Sequence, residues 1–281
     1  MNKKNITRLT TLNAVIGYPL TQTQSPTLHN AIYDALNINS LLMAFPHPDI
    51  NALIAAIKTF NVALTAVTMP HKETVLPHLH HLSETVTALK AANTIIQRDG
   101  ELWGYNTDVD GIEHAFRHIT LTQKNTLIIG AGGAARAMAY VLKKHQAHIY
   151  WLNRTPDKTH ELIEIFGGQT INHDTLNDLT VDIIINTTPV GMYPDIHHSP
   201  LPHKFLRHHQ TVFDMIYNPL ETQLLADAKK VGAKTISGIE MFIAQGIQQI
   251  SLWQGENLHT PALEHLAQNV LAIKSTDETK I

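Results

Sequence analysis

The stretch Thr126-Leu-Ile-Ile-Gly130-Ala-Gly132-Gly133-Ala-Ala135 decides the fold of this chain. Its first four residues predict a buried strand, its glycines a tight turn, and its alanines the start of a helix. Glycines at 130 and 132 with alanine at 135 match the G-x-G-x-x-G/A pattern of dinucleotide-binding units. A pyrophosphate must approach N–H groups at such a helix N-terminus without meeting a Cβ atom. We therefore predict a dinucleotide site formed by Gly130, Ala131, Gly132, Gly133 and Ala134.

The kind of dinucleotide is indicated by the next predicted strand, 148–152, which ends in Asn153-Arg154-Thr155. Units that bind NAD often place Asp or Glu about 20 residues after the glycines, to hold the ribose 2′-hydroxyl. Here a guanidinium replaces the carboxylate and offers forked, permanently charged donors to a 2′-phosphate. The alternative is that Thr155 and Pro156 only cap a helix and leave Arg154 exposed. We predict NADP as the cofactor, held by Asn153, Arg154, Thr155 and Lys158.

Outward from this stretch, strand-like runs alternate with helical patterns along nearly the whole chain, which predicts an α/β fold with largely parallel sheets. The predicted strands are 12–17, 41–45, 62–68, 93–97, 102–105, 126–129, 148–152, 181–186 and 211–214. A hairpin turn is predicted at Asp99-Gly100. The predicted helices are 25–36, 49–60, 112–118, 134–144, 156–166, 222–231, 239–253 and 261–274. We place two α/β domains at 1–105 and 106–238, and expect the helices of 239–281 to pack back on the first domain.

Composition excludes several classes of protein. The chain has 281 residues, a length typical of about two domains, with 43% hydrophobic and 16% charged residues. Its net charge of −3 gives no basic face for nucleic acid. No run is long and apolar enough to predict a membrane span, and the N-terminus lacks the apolar core of a signal peptide. The absence of cysteine excludes disulfides and thiolate sites. We expect a cytoplasmic protein that acts on small molecules.

The sequence contains 19 histidines, which raises the question of a metal site. The densest groups are His78, His80 and His81, and the pairs His197–His198 and His208–His209. Adjacent histidines suit ligation from neither a helix face nor a strand face, and no carboxylate stands beside them at metalloenzyme spacing. We interpret them as surface or loop histidines and predict no metal.

Polar clusters follow the predicted strands of the first domain. They are Thr23–Pro26, Thr68–Lys72, Asn93-Thr94 and Asn106–Asp108. Open α/β sheets bind ligands at the carboxyl ends of their strands. Each cluster alone is ambiguous, because Ser25 could be only a helix cap, Lys72 only a surface cation, and Asn93 and Asp108 only turn formers.

Taken together, the clusters resemble the shikimate dehydrogenase family, and the likeness covers nearly the whole chain. The family's G-x-P and S-x-S-P-x-x-H-N signatures are similar to Gly17-Tyr-Pro19 and Thr23-Gln-Ser25-Pro-Thr-Leu-His29-Asn30. Its N-V-T-x-P-x-K signature is similar to Ala66–Lys72, and its N-T and N-T-D segments match Asn93-Thr94 and Asn106–Asp108. The second half adds matches at 130–134, 153–155, 186–192, 214–219 and 238–246.

This resemblance implies an N-terminal substrate domain followed by a doubly wound, Rossmann-type NADP domain, and reversible reduction of 3-dehydroshikimate to shikimate in aromatic amino acid biosynthesis. It implies that Thr23, Ser25 and Tyr217 contact the substrate carboxylate. The residues implied to contact the ring hydroxyls are Thr68, Lys72, Asn93, Asp108 and Gln245. The residues implied to lie near the nicotinamide are Met215, Gly238 and Met241. A homodimer is also expected.

Lys72 is the expected acid–base residue, with Asp108 as its partner. Hydride reduction of a ring ketone leaves an alkoxide that needs a proton, and protonated lysine can supply it. His71 is the rival by its chemistry, but Lys72 occupies the motif position. Three alternatives remain open: a quinate dehydrogenase that uses NAD or NADP, a catalytically silent NADP-binding sensor, and another fused-Rossmann enzyme such as a methylene-folate dehydrogenase. The polar clusters disfavour the last, and the pair Lys72 and Asp108 disfavours the sensor.

Two positions depart from the family pattern. Thr23 stands where serine is usual, and Ala66 where asparagine is usual. Threonine keeps the hydroxyl but adds a methyl group that restricts χ1 beside the expected carboxylate site. The loss of the amide at Ala66 and the added methyl at Thr23 affect the choice between shikimate and quinate more than the reaction class.

Replacement of Thr23 by serine should leave kcat/KM for shikimate unchanged or improved and should weaken discrimination against quinate. Quinate carries an extra hydroxyl on the carboxylate-bearing carbon, and the methyl group of Thr23 leaves less room for it; such crowding costs about 1–3 kcal/mol where the surroundings cannot relax. Steady-state rates of wild type and Thr23→Ser with both substrates check this. A wild type that turns over quinate faster than shikimate would contradict the expectation.

Overall fold

The structure is a computed structural model that describes residues 6–155 and 157–278. The chain divides into two compact units. The first contains the residues up to Thr107 and those from Ile243 onward, and the second is Asp108–Phe242.

The first unit is built on a mixed sheet of six strands. Its strands are Thr11–Gly17 (β1), Ser40–Pro46 (β2), Leu64–Val67 (β3), His81–Leu82 (β4), Thr94–Arg98 (β5) and Glu101–Tyr105 (β6). Its first helices are Ser25–Ala35 (α1), Ile50–Thr59 (α2), His71–Thr74 (α3) and Glu84–Leu89 (α4). The strand order is β2-β1-β3-β5-β6-β4, with β1 parallel to β2 and β3, and β5 antiparallel to β3 and β6.

One part of the core of this unit lies between the sheet and α2. Within β1, residues Asn13 to Gly17 are buried in succession, because a central strand is covered on both faces. The α2 side chains Leu53, Ile54 and Ile57 join Ala14 and Ile16 in one apolar cluster. The predicted hairpin between β5 and β6 is confirmed, with Asp99 at φ 51° and Gly100 at φ 79°.

The second unit is built on a six-stranded parallel sheet in the order β12-β11-β10-β7-β8-β9. Its strands are Asn125–Ile129 (β7), His148–Leu152 (β8), Gln169–Thr170 (β9), Ile183–Asn186 (β10), Thr211–Asp214 (β11) and Lys234–Ser237 (β12). Its helices are Asp108–Ala115 (α5), Gly133–Lys144 (α6), Asp157–Phe166 (α7), His173–Leu176 (α8) and Gln223–Lys230 (α9). The chain runs outward from β7 in one direction through β8 and β9, and in the other through β10, β11 and β12. The strand order therefore reverses beside β7, where doubly wound sheets bind their ligands.

Two long helices close the chain, Gly238–Gln254 (α10) and Pro261–Glu278 (α11). The part of α10 from Ile243 onward belongs to the first unit, and α11 packs against α1. The return of the C-terminal helices to the N-terminal α/β unit follows the expected fold. No helix in the described part of the chain is both long and apolar enough to cross a lipid bilayer.

Several elements differ from the sequence-based prediction. Strand β12 was not predicted, since Ile236 is its only buried residue and the strand therefore lacks an apolar run. Helix α5 begins at Asp108 rather than 112, because Gly111 and two acidic residues mask its apolar face. The short α4 lies in a segment where no element was predicted, and its N-cap Ser83 accepts a hydrogen bond from the Val86 N–H at 3.3 Å. Residue 156, the predicted first residue of α7, lies outside the described residues.

Candidate active site

In the first unit, the first predicted polar cluster, Thr23–Pro26, runs into the start of α1. Pro26 occupies the first turn of α1, where its missing N–H has no helical partner to lose. Ser25 is buried, and its backbone N–H donates to Thr23 Oγ1 at 3.4 Å. Thr23 itself is half-buried. These contacts keep the Thr23 hydroxyl beside the start of α1.

The Thr68–Lys72 segment follows β3 and leads into the single turn of α3. The Thr68 N–H donates to the Ile16 carbonyl at 2.9 Å. A Cβ atom at Gly17 would lie 2.5 Å from Thr68 Cγ2, so this glycine is required for the close approach of the two segments. Lys72 is half-buried, and its carbonyl accepts a 2.8 Å hydrogen bond from the Ala92 N–H. The backbone of Lys72 is thereby fixed beside the residue that precedes Asn93.

Asn93 is the centre of a buried hydrogen-bond cluster. Its Oδ1 accepts from the Thr107 N–H at 2.7 Å and from Thr94 Oγ1 at 2.8 Å. Its Nδ2 donates to Thr107 Oγ1 at 3.0 Å and to Gln245 Oε1 at 3.4 Å. The structure therefore brings together Asn93 and Gln245, two residues predicted to bind the ring hydroxyls.

Two further side chains extend this cluster and were not selected from the sequence. Gln249 Nε2 donates to Thr94 Oγ1 at 3.0 Å and to the Asn93 carbonyl at 3.2 Å. Gln249 Oε1 lies 3.0 Å from Nε2 of His29, which is fully buried. The available signal was the spacing on α10, where Gln249 follows Gln245 by one helical turn and so shares its face.

His71, the rival acid–base residue, is buried, and its Nε2 lies 2.8 Å from the carbonyl oxygen of His47. One ring nitrogen is thus engaged by the backbone, which gives His71 a structural contact of its own. Asp108, the expected partner of Lys72, is buried as the first residue of α5 in the second unit and directly follows Thr107. Its pairing with Lys72 stays a prediction.

In the second unit, the glycine turn lies between β7 and α6. Gly130 has φ +112°, and a Cβ atom there would lie 2.5 Å from Thr187 Oγ1, so the position requires glycine. A Cβ atom at Gly132 or Gly133 would meet no described atom within 4 Å. Gly132 is the N-cap of α6, whose first turn contains no acidic residue. Open space before uncapped N–H groups fits a pyrophosphate.

A groove of about 900 Å³ extends from this turn along the end of β8. Its lining includes the predicted residues Gly130, Asn153 and Arg154 together with Thr188 and Val190. No carboxylate is among its described lining residues, and Arg154, Thr155 and Lys158 are exposed. The groove and its cation suit a nucleotide that carries an additional phosphate.

The loop after β11 depends on Asp214. This buried carboxylate accepts hydrogen bonds from Thr222 Oγ1 at 2.7 Å, Asn186 Nδ2 at 3.0 Å and the Ile216 N–H at 3.1 Å. Burial raises the pKa of Asp214 to about 6, although these donors oppose the change. In the sequence, this aspartate lies in one of the stretches that resemble the family, but no role was predicted for it. The structure shows that it shapes the segment that carries Met215 and Tyr217.

The predicted nicotinamide-side residues lie around that loop. A Cβ atom at Gly238 would fall 2.3 Å from the Met215 carbonyl oxygen, so the two backbones are in direct contact. Met241 is buried one turn further along α10. The ring of Tyr217 stacks on Phe242 with centroids 4.2 Å apart. Met215, Gly238, Met241 and Tyr217 thus all belong to the second unit.

Family models match both halves of the chain. Residues 15–95 match a model described as the shikimate dehydrogenase substrate-binding domain. Residues 113–192 match one described as shikimate/quinate 5-dehydrogenase.

Similar proteins and structures carry the same description. A protein of Methanosphaera stadtmanae named shikimate dehydrogenase (NADP(+)) is 39% identical, over 93% of this chain and 99% of its own length. One of Thermococcus kodakarensis with the same name is 40% identical, over 88% and 92%. The crystal structure of a Thermus thermophilus shikimate 5-dehydrogenase in complex with NADP(H) and shikimate has a TM-score of 0.84 at 31% identity, covering 92% of this chain and 99% of that one.

Acid should destabilise the protein partly through His29. Burial lowers the pKa of His29 to about 4 from 6.5. Between these values the unfolded chain binds the proton more readily than the folded one, so stability falls as pH drops from 6.5 to 4. The full effect is about 3 kcal/mol. Asp214 acts in the opposite direction, because its raised pKa favours the protonated fold below about 6.

Urea unfolding of wild type and His29→Gln at pH 7 and pH 4.5 isolates the histidine, since the contribution of Asp214 is common to both. The variant should lose less stability on acidification than wild type. His160→Gln, at an exposed position of α7, is the control and should behave as wild type. Equal acid sensitivity of His29→Gln and wild type would contradict the expectation.

Proposed function

Because the chain belongs to the shikimate dehydrogenase family, we propose that it catalyses the reversible, NADP-dependent interconversion of 3-dehydroshikimate and shikimate. The observation that carries the proposal is the Asn93 cluster, in which amide and hydroxyl groups of Asn93, Thr107 and Gln245 meet in a buried polar site. A site of neutral donors and acceptors suits a substrate with several hydroxyl groups.

The cofactor assignment is supported by the second unit. The open approach to Gly132 and Gly133 fits the pyrophosphate, and Arg154 fits the 2′-phosphate. Asn153, Thr155 and Lys158 flank Arg154, while Met215, Gly238 and Met241 form the proposed nicotinamide side. When bound, NADP supplies the hydride chemistry that no side chain of the protein can supply.

In the first unit, Thr23 and Ser25 would bind the substrate carboxylate, with Tyr217 of the second unit as a further donor. Thr68, Lys72, Asn93 and Gln245 would bind ring hydroxyls, together with Asp108. Hydroxyl and amide groups that are already fixed by the protein bind such a ligand with little loss of side-chain freedom. The hydrogen bonds that fix Asn93 are the clearest example.

Lys72 would transfer the proton. In reduction, protonated Lys72 donates to the developing alkoxide, and in oxidation neutral Lys72 takes the proton back. The carboxylate of Asp108 would hold the ammonium group in place.

The second candidate is a quinate dehydrogenase, since the model matched by residues 113–192 includes both activities in its description. Rates with shikimate and quinate, each with NADP and NAD, discriminate the two. Fastest turnover of shikimate with NADP supports the proposal, and fastest turnover of quinate supports the second candidate. No turnover with any pair would support a silent NADP-binding protein.

We further propose that the protein acts in the cytoplasm as a homodimer. The lack of cysteine suits a reducing compartment. Strand β2 ends the strand order of its sheet and exposes Met43 and Phe45, and an apolar edge strand is a typical contact surface. Light scattering after size-exclusion chromatography tests the mass, and a monomer at micromolar concentration would exclude the dimer.

Replacement of Lys72 by alanine should lower kcat about 10²- to 10⁴-fold, which is typical of a general acid–base group. KM for NADP should change little, because Lys72 belongs to the first unit. Lys58→Ala, which removes an exposed lysine of α2, is the matched control. Retention of more than half of the wild-type kcat would exclude Lys72 and direct attention to His71.

Replacement of Arg154 by alanine should raise KM for NADP about tenfold to a hundredfold, since a charge-assisted hydrogen bond is worth about 1.5–3 kcal/mol. KM for NAD should hardly change, because NAD has no 2′-phosphate. Lys230→Ala, at the exposed end of α9, controls for net charge. Equal losses with both cofactors would show that Arg154 has a structural role.

A further inference from the structure

A line of buried hydrogen bonds connects helix α1 to the Asn93 cluster through His29 and Gln249. We infer that His29 and Gln249 are positioning residues for the substrate: they hold the segment that would bind the carboxylate in register with the side chains that would bind the ring hydroxyls. This inference rests on the proposed function, because it concerns the same substrate site.

The line begins at His29, which lies on α1 one helical turn after Ser25. His29 Nε2 lies 3.0 Å from Gln249 Oε1. Gln249 Nε2 then donates to Thr94 Oγ1, and Thr94 Oγ1 donates to Asn93 Oδ1. His29 and Thr94 are completely buried and Gln249 nearly so, which excludes water as a substitute partner for a lost bond.

The orientation of the Gln249 amide follows from its neighbours. The Asn93 carbonyl, 3.2 Å away, can only accept, so the amide nitrogen must face it and the amide oxygen must face His29. The proton of a neutral His29 ring therefore lies on Nε2. The chain of donors runs in one direction, from His29 to Gln249 at one end and from Gln249 through Thr94 to Asn93 at the other.

Each end of the line lies next to groups assigned to substrate binding, which an ordinary buried polar contact does not. At one end, His29 follows Ser25, the residue proposed to bind the carboxylate, by one turn of the same helix, so that α1 itself links the two residues. At the other end, Gln249 fixes the Asn93 carbonyl and, through Thr94, the Asn93 side-chain oxygen. Loss of Gln249 would remove a donor from both the Thr94 hydroxyl and the Asn93 carbonyl and would loosen the Asn93 amide.

The first test is Gln249→Met, which keeps the length of the side chain and removes its polar atoms. KM for shikimate should rise about threefold to tenfold, as expected for the loss of one or two neutral hydrogen bonds. Both kcat and KM for NADP should stay within about twofold of wild type, because neither proton transfer nor the second unit is touched. Gln248→Met, the same change on the half-buried neighbouring residue, is the matched control and should leave KM for shikimate unchanged.

The second test compares His29→Leu with His29→Gln. Leucine removes the donor and should raise KM for shikimate like Gln249→Met, whereas the glutamine amide can donate to Gln249 Oε1 and should restore KM to within about twofold of wild type. This pair decides the matter if Gln249→Met does not fold. An unchanged KM in Gln249→Met, equal rises in KM for shikimate and NADP, or equal damage by both His29 variants would overturn the inference. The wild-type rate with shikimate and NADP tests the proposed function separately, since every outcome here is a ratio to wild type.

Discussion

The hydrogen bonds of the Asn93 side-chain amide are the interaction on which the proposed substrate site of the first unit depends. Its oxygen accepts from the Thr107 N–H and the Thr94 hydroxyl, and its nitrogen faces Thr107 Oγ1 and Gln245. A buried amide that faces a group of the wrong hydrogen-bonding type costs free energy of folding. The cluster therefore has a single arrangement of donors and acceptors. The same residue joins three parts of the chain through its backbone: its N–H donates to Tyr105, and its carbonyl accepts from Val67 and Gln249.

The cofactor half depends on a different constraint, the parallel sheet. Parallel strands end at one edge, so the glycine turn after β7 and Asn186 at the end of β10 come together. Asn186 then donates to Asp214 at the end of β11, and Asp214 shapes the Met215–Tyr217 loop. The two halves thus position their polar groups differently. The first uses a fixed side-chain amide, and the second uses strand ends and a helix N-terminus.

Much of the fold could be predicted from the sequence because it depends on local pattern. A few consecutive residues are enough to predict the glycine turn, the central strands and the Asp99-Gly100 hairpin. Strand β12 could not be found in this way, since its single buried side chain gives no period. The polar clusters after the strands predicted that Asn93 and Gln245 share a site, through the family resemblance. The contact of His29 with Gln249 lies beyond any local pattern, because 220 residues separate them. The pKa of Asp214 is likewise a property of burial and not of its neighbours in sequence.

The position of helix α10 late in the chain has a consequence for folding during translation. Gln245 lies 152 residues after Asn93, and both belong to the first unit. A ribosome that has produced the six strands of that unit has not yet made the helix that satisfies its buried amide cluster. The N-terminal unit therefore cannot complete its core before the nucleotide-binding unit has emerged, although domains generally fold in the order of their synthesis. Release of the chain and completion of the substrate site are thus coupled in time. A nascent chain that stops before α10 would expose polar groups whose hydrogen-bond partners have not yet been synthesised.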